Sequence, residues 1–563
     1  MKIVVIGGVA AGPRAAARAK RLLPDAEVIL INDSKELSYG ACGLPYFASG
    51  DINDIYELFK TSYGIVRDEQ YFVDVKGLEV IAPYRAVKID RDNKTVTAKN
   101  IENGEETRIN YDKLVIATGA SPYKLNLRGA DSEKITTFSR PGDARKLRKM
   151  AEMGQLGSGI IIGAGFIGCE LCESFGALWG IEATVLEAEN HVLPRMLDEE
   201  MASIVHAELV RNGVKVHCGC KVERFEDTEG GIAVIAGGER FEADTAVVAV
   251  GFKPNSELAV DAGLQVGKTG GIITNSRMQT SDENIYAGGD CVESFNLVTG
   301  KPCYLPLGSI ANRHGRLIGN NLAGRTGEFS GVVGAIIVKV FDMNIAAAGL
   351  TETQARGLGI DVGCAWTAMP DKAEYYPEWK YIYLKLVFEK GTGRLLGLQA
   401  VGPGDVARRV DVFSGLLQKK GTVDDLFDIE HAYSPPYSPA LDPLYVMGCI
   451  AKNTLDDDLE AINPMSLLAD DGNSFSGTIL DVREDEERES DPIKASGANI
   501  IEIPLDKIRD KLNDISLNGN ATILCHRGVR GYEAARIIKN AGLGNVTFVG
   551  GGKSFMNALK AGE

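Results

Sequence analysis

The stretch Lys2-Ile3-Val4-Val5-Ile6-Gly7-Gly8-Val9-Ala10-Ala11-Gly12 decides the fold. Ile3 to Ile6 suit a buried parallel strand. The glycines after it let the chain turn tightly and bring a helix N-terminus, here the run beginning at Pro13, against a pyrophosphate. Val9 stands where the motif usually has its middle glycine, so the support comes from the next strand, Glu27-Val28-Ile29-Leu30-Ile31. That strand runs into Asn32 and Asp33, 20 and 21 residues beyond Gly12, where a carboxylate ordinarily holds a ribose hydroxyl; the spacing admits either residue. The pattern restarts at Gly159-Ile160-Ile161-Ile162 and the loop Gly163-Ala164-Gly165-Phe166-Ile167-Gly168, a complete GxGxxG between strand and helix. Nineteen residues on, Glu187 would accept from a free 2′-hydroxyl and repel a 2′-phosphate, and neither Ala188 nor Glu189 supplies an arginine for that phosphate. The second loop therefore reads as a site for NAD rather than NADP.

A chain of 563 residues exceeds one compact fold and suggests three to five domains. Lys and Arg total 61 against 77 Asp and Glu, a net charge of -16, which disfavours a general nucleic-acid or anionic-membrane role. No run reaches membrane-spanning length; the candidate Val332 to Leu350 is broken by Lys339 and Asp342. The N-terminal apolar run closes in a glycine loop rather than a cleavage site, so the chain reads as mature and cytoplasmic. Its ten cysteines follow no disulfide framework, which suits a reducing compartment. The pairs Cys169 and Cys172, on a helix, and Cys218 and Cys220, on a strand, read as packing residues, and His191, His206 and His217 show no ligand spacing, so no metal site is expected. Residues 326–455 change texture to antiparallel segments, Asp456-Asp457-Asp458 to Pro464 reads as an acidic linker, and the last hundred residues form a small α/β unit.

Two dinucleotide loops, with Ala117-Thr118-Gly119 and Tyr286-Ala287-Gly288-Gly289-Asp290, resemble the two-dinucleotide-binding flavoproteins of the disulfide reductase superfamily. The resemblance implies FAD at the first loop, with Thr118, Gly119, Gly289 and Asp290 around the flavin, and NADH at the second, with Gly251. Cys42, in Ser38-Tyr39-Gly40-Ala41-Cys42-Gly43-Leu44-Pro45-Tyr46, falls where one branch carries a CxxxxC disulfide, but no second cysteine follows. A single cysteine cannot store two electrons as an internal disulfide, so it must form a mixed disulfide, persulfide or sulfenic acid. With Tyr375-Tyr376-Pro377 and the segment Tyr433 to Pro439, residues 1–455 resemble coenzyme A disulfide reductases, NADH-dependent persulfide or polysulfide reductases and related NADH oxidases. This implies a homodimer joined by an α+β domain whose Tyr375, Tyr376, Tyr433 and Tyr437 line the sulfur site, probing small sulfur compounds. It also implies a coenzyme A site at Arg18 and Arg21, with Ser38, Lys76, Asn312 and Arg316. Arg14, Arg18 and Arg21 share a helix face at i, i+4 and i+7, a spacing that a solvated basic face would also have. Ala41 and Leu441 stand where coenzyme A-using relatives have asparagine and lysine. Coenzyme A is thus left open as substrate, cofactor or absent.

The terminal unit carries Leu480-Asp481-Val482-Arg483-Glu484 and then Cys525-His526-Arg527-Gly528-Val529-Arg530 between a strand and a helix starting near Tyr532. This resembles a rhodanese domain, although the segment 491–498 departs from the family's pattern. A six-residue loop of this kind aims backbone N–H groups at one sulfur, with the helix dipole, Arg527 and Arg530 favouring its thiolate. A phosphatase-like anion loop and an inactive relic are the alternatives.

The expected fold is therefore α/β: an FAD-binding Rossmann-like domain (residues 1–150 and 255–325), an NAD-binding one (151–254), an α+β dimerisation domain (326–455) and a rhodanese-like domain (465–563). The expected catalytic residues are Cys42, Cys525, Tyr376, Tyr433, Tyr437 and Arg530. The expected activity is NADH-driven reduction of persulfide, polysulfide or coenzyme A disulfide at Cys42, with Cys525 supplying sulfane sulfur. The rivals are an NADH oxidase cycling through sulfenic acid and a sulfur-carrier or redox-sensing protein.

Overall fold

The structure is a computed structural model that describes residues 1–176, 179–457, 459–467, 478–493, 499–512 and 521–560. Two compact units are present: Met1–Gly163 with Leu171–Leu186 and Val222–Val332, and Ala164–Glu170 with Glu187–Lys221 and Val333–Glu563.

In the first unit, Lys2–Ile6 pairs in parallel with Glu27–Ile31 on one side and Lys113–Ile116 on the other; Glu79–Ile81 and Ile285–Ala287 complete five parallel strands. Strands covered on both faces read as continuous apolar runs, and Ile3, Val4 and Val5 are fully buried. The helix Ala11–Leu22 begins two residues before Pro13, which the first turn accepts because N–H groups there have no intrahelical partner to lose. A second parallel group places Ser158–Ile162 between Glu182–Leu186 and Thr245–Val248, with Ile135–Thr137 beyond.

The second unit holds an antiparallel sheet in the order Ile336–Val340, Met343–Gly349, Leu395–Gly402, Tyr381–Glu389, Val362–Pro370. Its underside buries Lys385, 1% exposed, whose ammonium meets Glu200 at 2.6 Å, Glu352 at 2.8 Å and Asp198 at 3.0 Å. Burial pushes the Asp198 carboxyl up, but Lys385 and the hydrogen bonds from Gln399, Thr353 and Glu352 outweigh it and hold the group at about 2. Removing this ammonium would leave Asp198 and Glu200 buried without their cation, while Glu352 would keep Arg356. Lys385→Met is therefore expected to destabilise this unit by about 3 to 5 kcal/mol, read by thermal unfolding; an unchanged transition would contradict this account of the cluster.

A terminal parallel sheet follows, ordered Ala461–Ile462, Val546–Val549, Ala521–Leu524, Thr478–Asp481, Asn499–Glu502. It packs on the antiparallel sheet through Gly550, where an added Cβ would lie 2.9 Å from Trp366, and through Tyr383 edge-on to Phe555 at 5.5 Å. The acidic linker expected at Asp456 to Pro464 is corrected here. Asp456 lies in the helix Pro443–Asp457 and Ala461–Ile462 is an edge strand, so strand pairing overrides the loop-like composition; Asp458 lies outside the described residues. So do residues 494–498 of the segment that departs from the rhodanese pattern. Cys218 and Cys220 are likewise corrected, since the strand Lys215–His217 ends before them. Among the described residues no helix is long and apolar enough to cross a membrane, and no cluster of His, Cys, Asp and Glu could hold a metal ion.

Candidate active sites

At the first loop, Gly7 has φ of +111°, and a Cβ there would stand 2.0 Å from the Ala117 carbonyl oxygen; one on Gly12 would meet Gly7 O at 1.9 Å. These contacts require glycine at both positions and leave Val9 and Ala10 harmless. The Gly8 N–H donates to Asn32 Oδ1 at 2.9 Å, and the buried Asn32 amide donates on to Ser34 O at 2.7 Å. Asp33 lies further out, paired with Arg85 at 3.1 Å and Arg140 at 3.4 Å. The second loop repeats the first arrangement: the Ala164 N–H donates to Glu187 Oε2 at 2.7 Å, so Glu187 and Asn32 hold corresponding places. Gly163 also has positive φ, Gly165 faces open space, and the helix Phe166–Gly176 carries Ile167 and Gly168 away from the loop.

Around the first loop the chain closes a cradle. A Cβ on Gly289 would stand 3.0 Å from Ala11 Cβ, placing Asp290 beside the loop, and burial pushes the Asp290 carboxyl up to about 6. The Thr118 hydroxyl donates to Asn255 O at 2.6 Å, and Gly119 follows in left-handed backbone. Sequence reasoning missed His314, on the helix Gly308–Leu322. Its Nδ1 accepts from the Gly289 N–H at 3.3 Å while Nε2, buried, has no partner, and burial, then Arg313, pushes the imidazole down to about 4. A lone histidine in an apolar helical pattern gives no signal of this.

Cys42 lies in the turn Ala41–Gly43 leading into Leu44–Ser49, and its thiol is exposed. Gly43 is forced by packing, since a Cβ there would strike Leu58 at 2.3 Å. A Cβ added to Gly308 would stand 3.8 Å from Cys42 Sγ, so the sulfur sits at the N-terminus of the fifteen-residue helix that also carries His314. Such an N-terminus favours the charge of a thiolate.

The same helix crosses Ala11–Leu22 at glycines: Cβ atoms on Gly315 and Gly319 would meet Ala11 O at 2.4 Å and Arg18 Cβ at 2.6 Å. This brings Arg14, Arg18, Arg21, Arg316 and Arg325 together; partial desolvation and the like charges push the Arg18 guanidinium down, while its Nε donates to Asn320 at 2.8 Å. Asn312 is exposed on that helix, Ser38 holds φ of +49° with its N–H on Gly8 O, and the Lys76 ammonium lies 4.8 Å over the Tyr71 ring. In the second unit Tyr375 and Tyr433 join hydroxyls at 3.2 Å, and these two with Tyr376 and Tyr437 are all exposed.

Cys525 is 1% exposed and accepts from the Gly528 N–H at 3.0 Å; the N–H groups of Arg527 and Gly531 also turn toward it. Gly528, at φ of +91°, opens the helix Val529–Asn540, three residues earlier than Tyr532. Burial pushes the Cys525 thiol above its ordinary 9.0, outweighing the loop N–H groups and the Arg530 charge, which favour the thiolate as expected; Arg527 and Arg530 are themselves paired with carboxylates. A thiol raised in this way is mostly protonated at neutral pH. Alkylation of Cys525, followed by peptide mass spectrometry, should accelerate about tenfold per pH unit from 7 to beyond 9; a plateau near pH 7 would contradict the burial argument.

The family profile described as pyridine nucleotide-disulphide oxidoreductase matches residues 1–302, and that of its dimerisation domain matches 336–444. The chain belongs to the pyridine nucleotide-disulphide oxidoreductase family of enzymes, whose members use FAD and NAD(P)H. It is 36% identical over 451 residues, 80% of this chain and 99% of the relative, to the NAD(P)H sulfur oxidoreductase (CoA-dependent) of Pyrococcus furiosus. Among solved structures it is similar to a NAD-dependent persulfide reductase from A. fulgidus, at 42% identity and TM-score 0.92 over 99% of this chain and 100% of the other. It is also similar to the reduced Bacillus anthracis CoADR-RHD, at 33% identity and TM-score 0.91 over 99% and 98%. Both likenesses run through the terminal sheet.

Proposed function

We propose that this chain is an NADH-dependent flavoprotein that reduces persulfides, polysulfides or coenzyme A-linked disulfides through Cys42, with Cys525 collecting sulfane sulfur. The observation that carries the reading is an exposed thiol at a long helix N-terminus, in a chain that also cradles a second sulfur with loop N–H groups. FAD fits the first loop, because backbone contacts that only glycine admits at Gly7 and Gly12 keep the turn tight and bring the N-terminus of the helix Ala11–Leu22 to where a pyrophosphate would bind. When bound, it accepts hydride from NADH and returns two electrons to sulfur. Thr118, Gly119 and the Gly289–Asp290 turn would border it, Asn32 would hold the loop, and the second loop would receive NADH. The Cys42 thiolate attacks the inner sulfur of a persulfide RSSH, forming a mixed disulfide with RS and expelling hydrosulfide; two electrons and one proton then restore the thiolate and release RSH.

The arginine cluster at Arg14, Arg18, Arg21 and Arg316 would bind the phosphates of coenzyme A, with Ser38, Asn312 and Lys76 along the arm. The exposed tyrosines Tyr375, Tyr376, Tyr433 and Tyr437 would close over Cys42 from a second copy of the chain, in a homodimer. All ten cysteines are thiols, which fits the cytoplasm. The test is NADH consumption without oxygen, with and without polysulfide: turnover only with polysulfide is expected, whereas turnover that needs oxygen would favour the NADH oxidase.

Glu187 sets nucleotide choice in this reading, since its carboxylate occupies the 2′ side of the second loop. NADH should be preferred, and Glu187→Ala should narrow the NADH to NADPH ratio in kcat/KM by about tenfold or more. Equal use of both by the unmodified protein would sink the assignment.

A further inference from the structure

The two arginines of the Cys525 loop are both paired with carboxylates, so an incoming anion must compete with these for them. Arg530 forms a two-pronged pair with Glu487, at 2.6 and 2.7 Å, and has Glu484 at 3.7 Å. Arg527 is paired with Glu374, directly before Tyr375 on the antiparallel-sheet unit. Nearby Arg483 is spent on the buried Asp481 at 2.8 Å, and burial keeps His526 below its ordinary value and so neutral. The two arginines of the loop are thus met by three carboxylates, Glu374, Glu484 and Glu487.

From this geometry we infer that the Cys525 site selects organic persulfides and hydropolysulfides as sulfur donors and rejects thiosulfate, with Glu374 and Glu487 as the specificity-determining residues. This rests on the sulfurtransfer role proposed above. Thiosulfate carries two negative charges and leaves as sulfite, so a loop that uses it needs uncommitted cations at its mouth to hold the oxygens. The persulfide group of RSSH carries at most one charge, any charge on R lying away from the sulfur transferred, and the donor leaves through its organic sulfur. The Cys525 thiolate attacks the outer sulfur, the donor's S–S bond breaks as the new one forms, and RS⁻ departs with the electron pair and takes up a proton. No net oxidation occurs, and Cys525 is left as the persulfide. The loop N–H groups at Gly528 and its neighbours suffice for the one sulfur atom transferred.

The experiment measures sulfur transfer to cyanide by the full FAD-loaded protein with glutathione persulfide and with thiosulfate. The expected kcat/KM for thiosulfate is lower by about a hundredfold or more, the scale on which a few angstroms of like charge act in a partly dry site. Glu374→Gln and Glu487→Gln, which release Arg527 and Arg530, should each raise the thiosulfate to persulfide ratio by about tenfold, mainly through the KM for thiosulfate. Glu374 is a partly exposed residue whose replacement leaves the buried core untouched, so it keeps the test valid should Glu487→Gln fold poorly. Thiosulfate used as well as persulfide by the unmodified protein, or ratios unmoved in Glu374→Gln, would overturn the specificity while leaving Cys525 a sulfurtransferase. Transfer from neither donor would overturn the sulfurtransfer role itself, and the specificity with it.

Discussion

Cys42→Ser is expected to lose NADH-driven reduction of polysulfide and of coenzyme A-linked disulfide by about a thousandfold or more, while NADH still bleaches the flavin absorbance. The two halves separate because they use different parts of the first unit. The glycine loop, Asn32 and the Gly289–Asp290 turn build the cradle from backbone and buried groups. Sulfur chemistry needs a thiolate, and a serine hydroxyl at the N-terminus of Gly308–Leu322 is far too weakly acidic to replace it. Stopped-flow reduction followed by anaerobic addition of polysulfide reads both halves in one sample. Reoxidation at the unmodified rate in Cys42→Ser would refute the role given to this residue.

The second large effect concerns Cys525. Cys525→Ser should abolish sulfur transfer from persulfide or polysulfide to cyanide, and should leave NADH-driven reduction of a preformed small disulfide within about twofold of the unmodified protein. The nucleophile is the only sulfur that the loop N–H groups hold, so the oxygen analogue has nothing to offer a sulfane sulfur. Direct exchange between Cys525 and Cys42 is not required, because a diffusible carrier such as a coenzyme A persulfide could be loaded at one and reduced at the other. A variant in which every acceptor fails to reoxidise the flavin would place Cys525 in the reductase centre and end the two-site account.

What the sequence made legible was local. Gly7, Gly12 and Gly163 follow from the motif spacing, although only the contact of Gly12 with Gly7 O is local; Gly7 and Gly163 are pressed by Ala117 and Ala249 from distant segments. The choice between Asn32 and Asp33 was not legible, since it depends on which side chain turns back to the Gly8 N–H. The carboxylate partners of Arg527 and Arg530 are not legible, because nothing in the spacing of the Cys525 loop announces Glu487, 43 residues away, or Glu374, 153 residues away. The three carboxylates gathered on Lys385 come from distant segments for the same reason. The edge strand at Ala461–Ile462 was hidden by the acidic residues before it, of which Asp456 and Asp457 belong to the end of a helix. His314 was invisible because its Nδ1 contact is to a backbone N–H that only the folded chain brings near.

The central claim, that electrons from NADH leave through sulfur at Cys42, is tested most directly by counting products under strict exclusion of oxygen. The FAD-loaded protein is given a limiting amount of NADH and an excess of coenzyme A persulfide, and hydrosulfide is quantified. One hydrosulfide per NADH consumed, lost in Cys42→Ser and retained in Cys525→Ser, is the result this account predicts. NADH that stays unconsumed until oxygen is admitted, with no hydrosulfide formed, would contradict it.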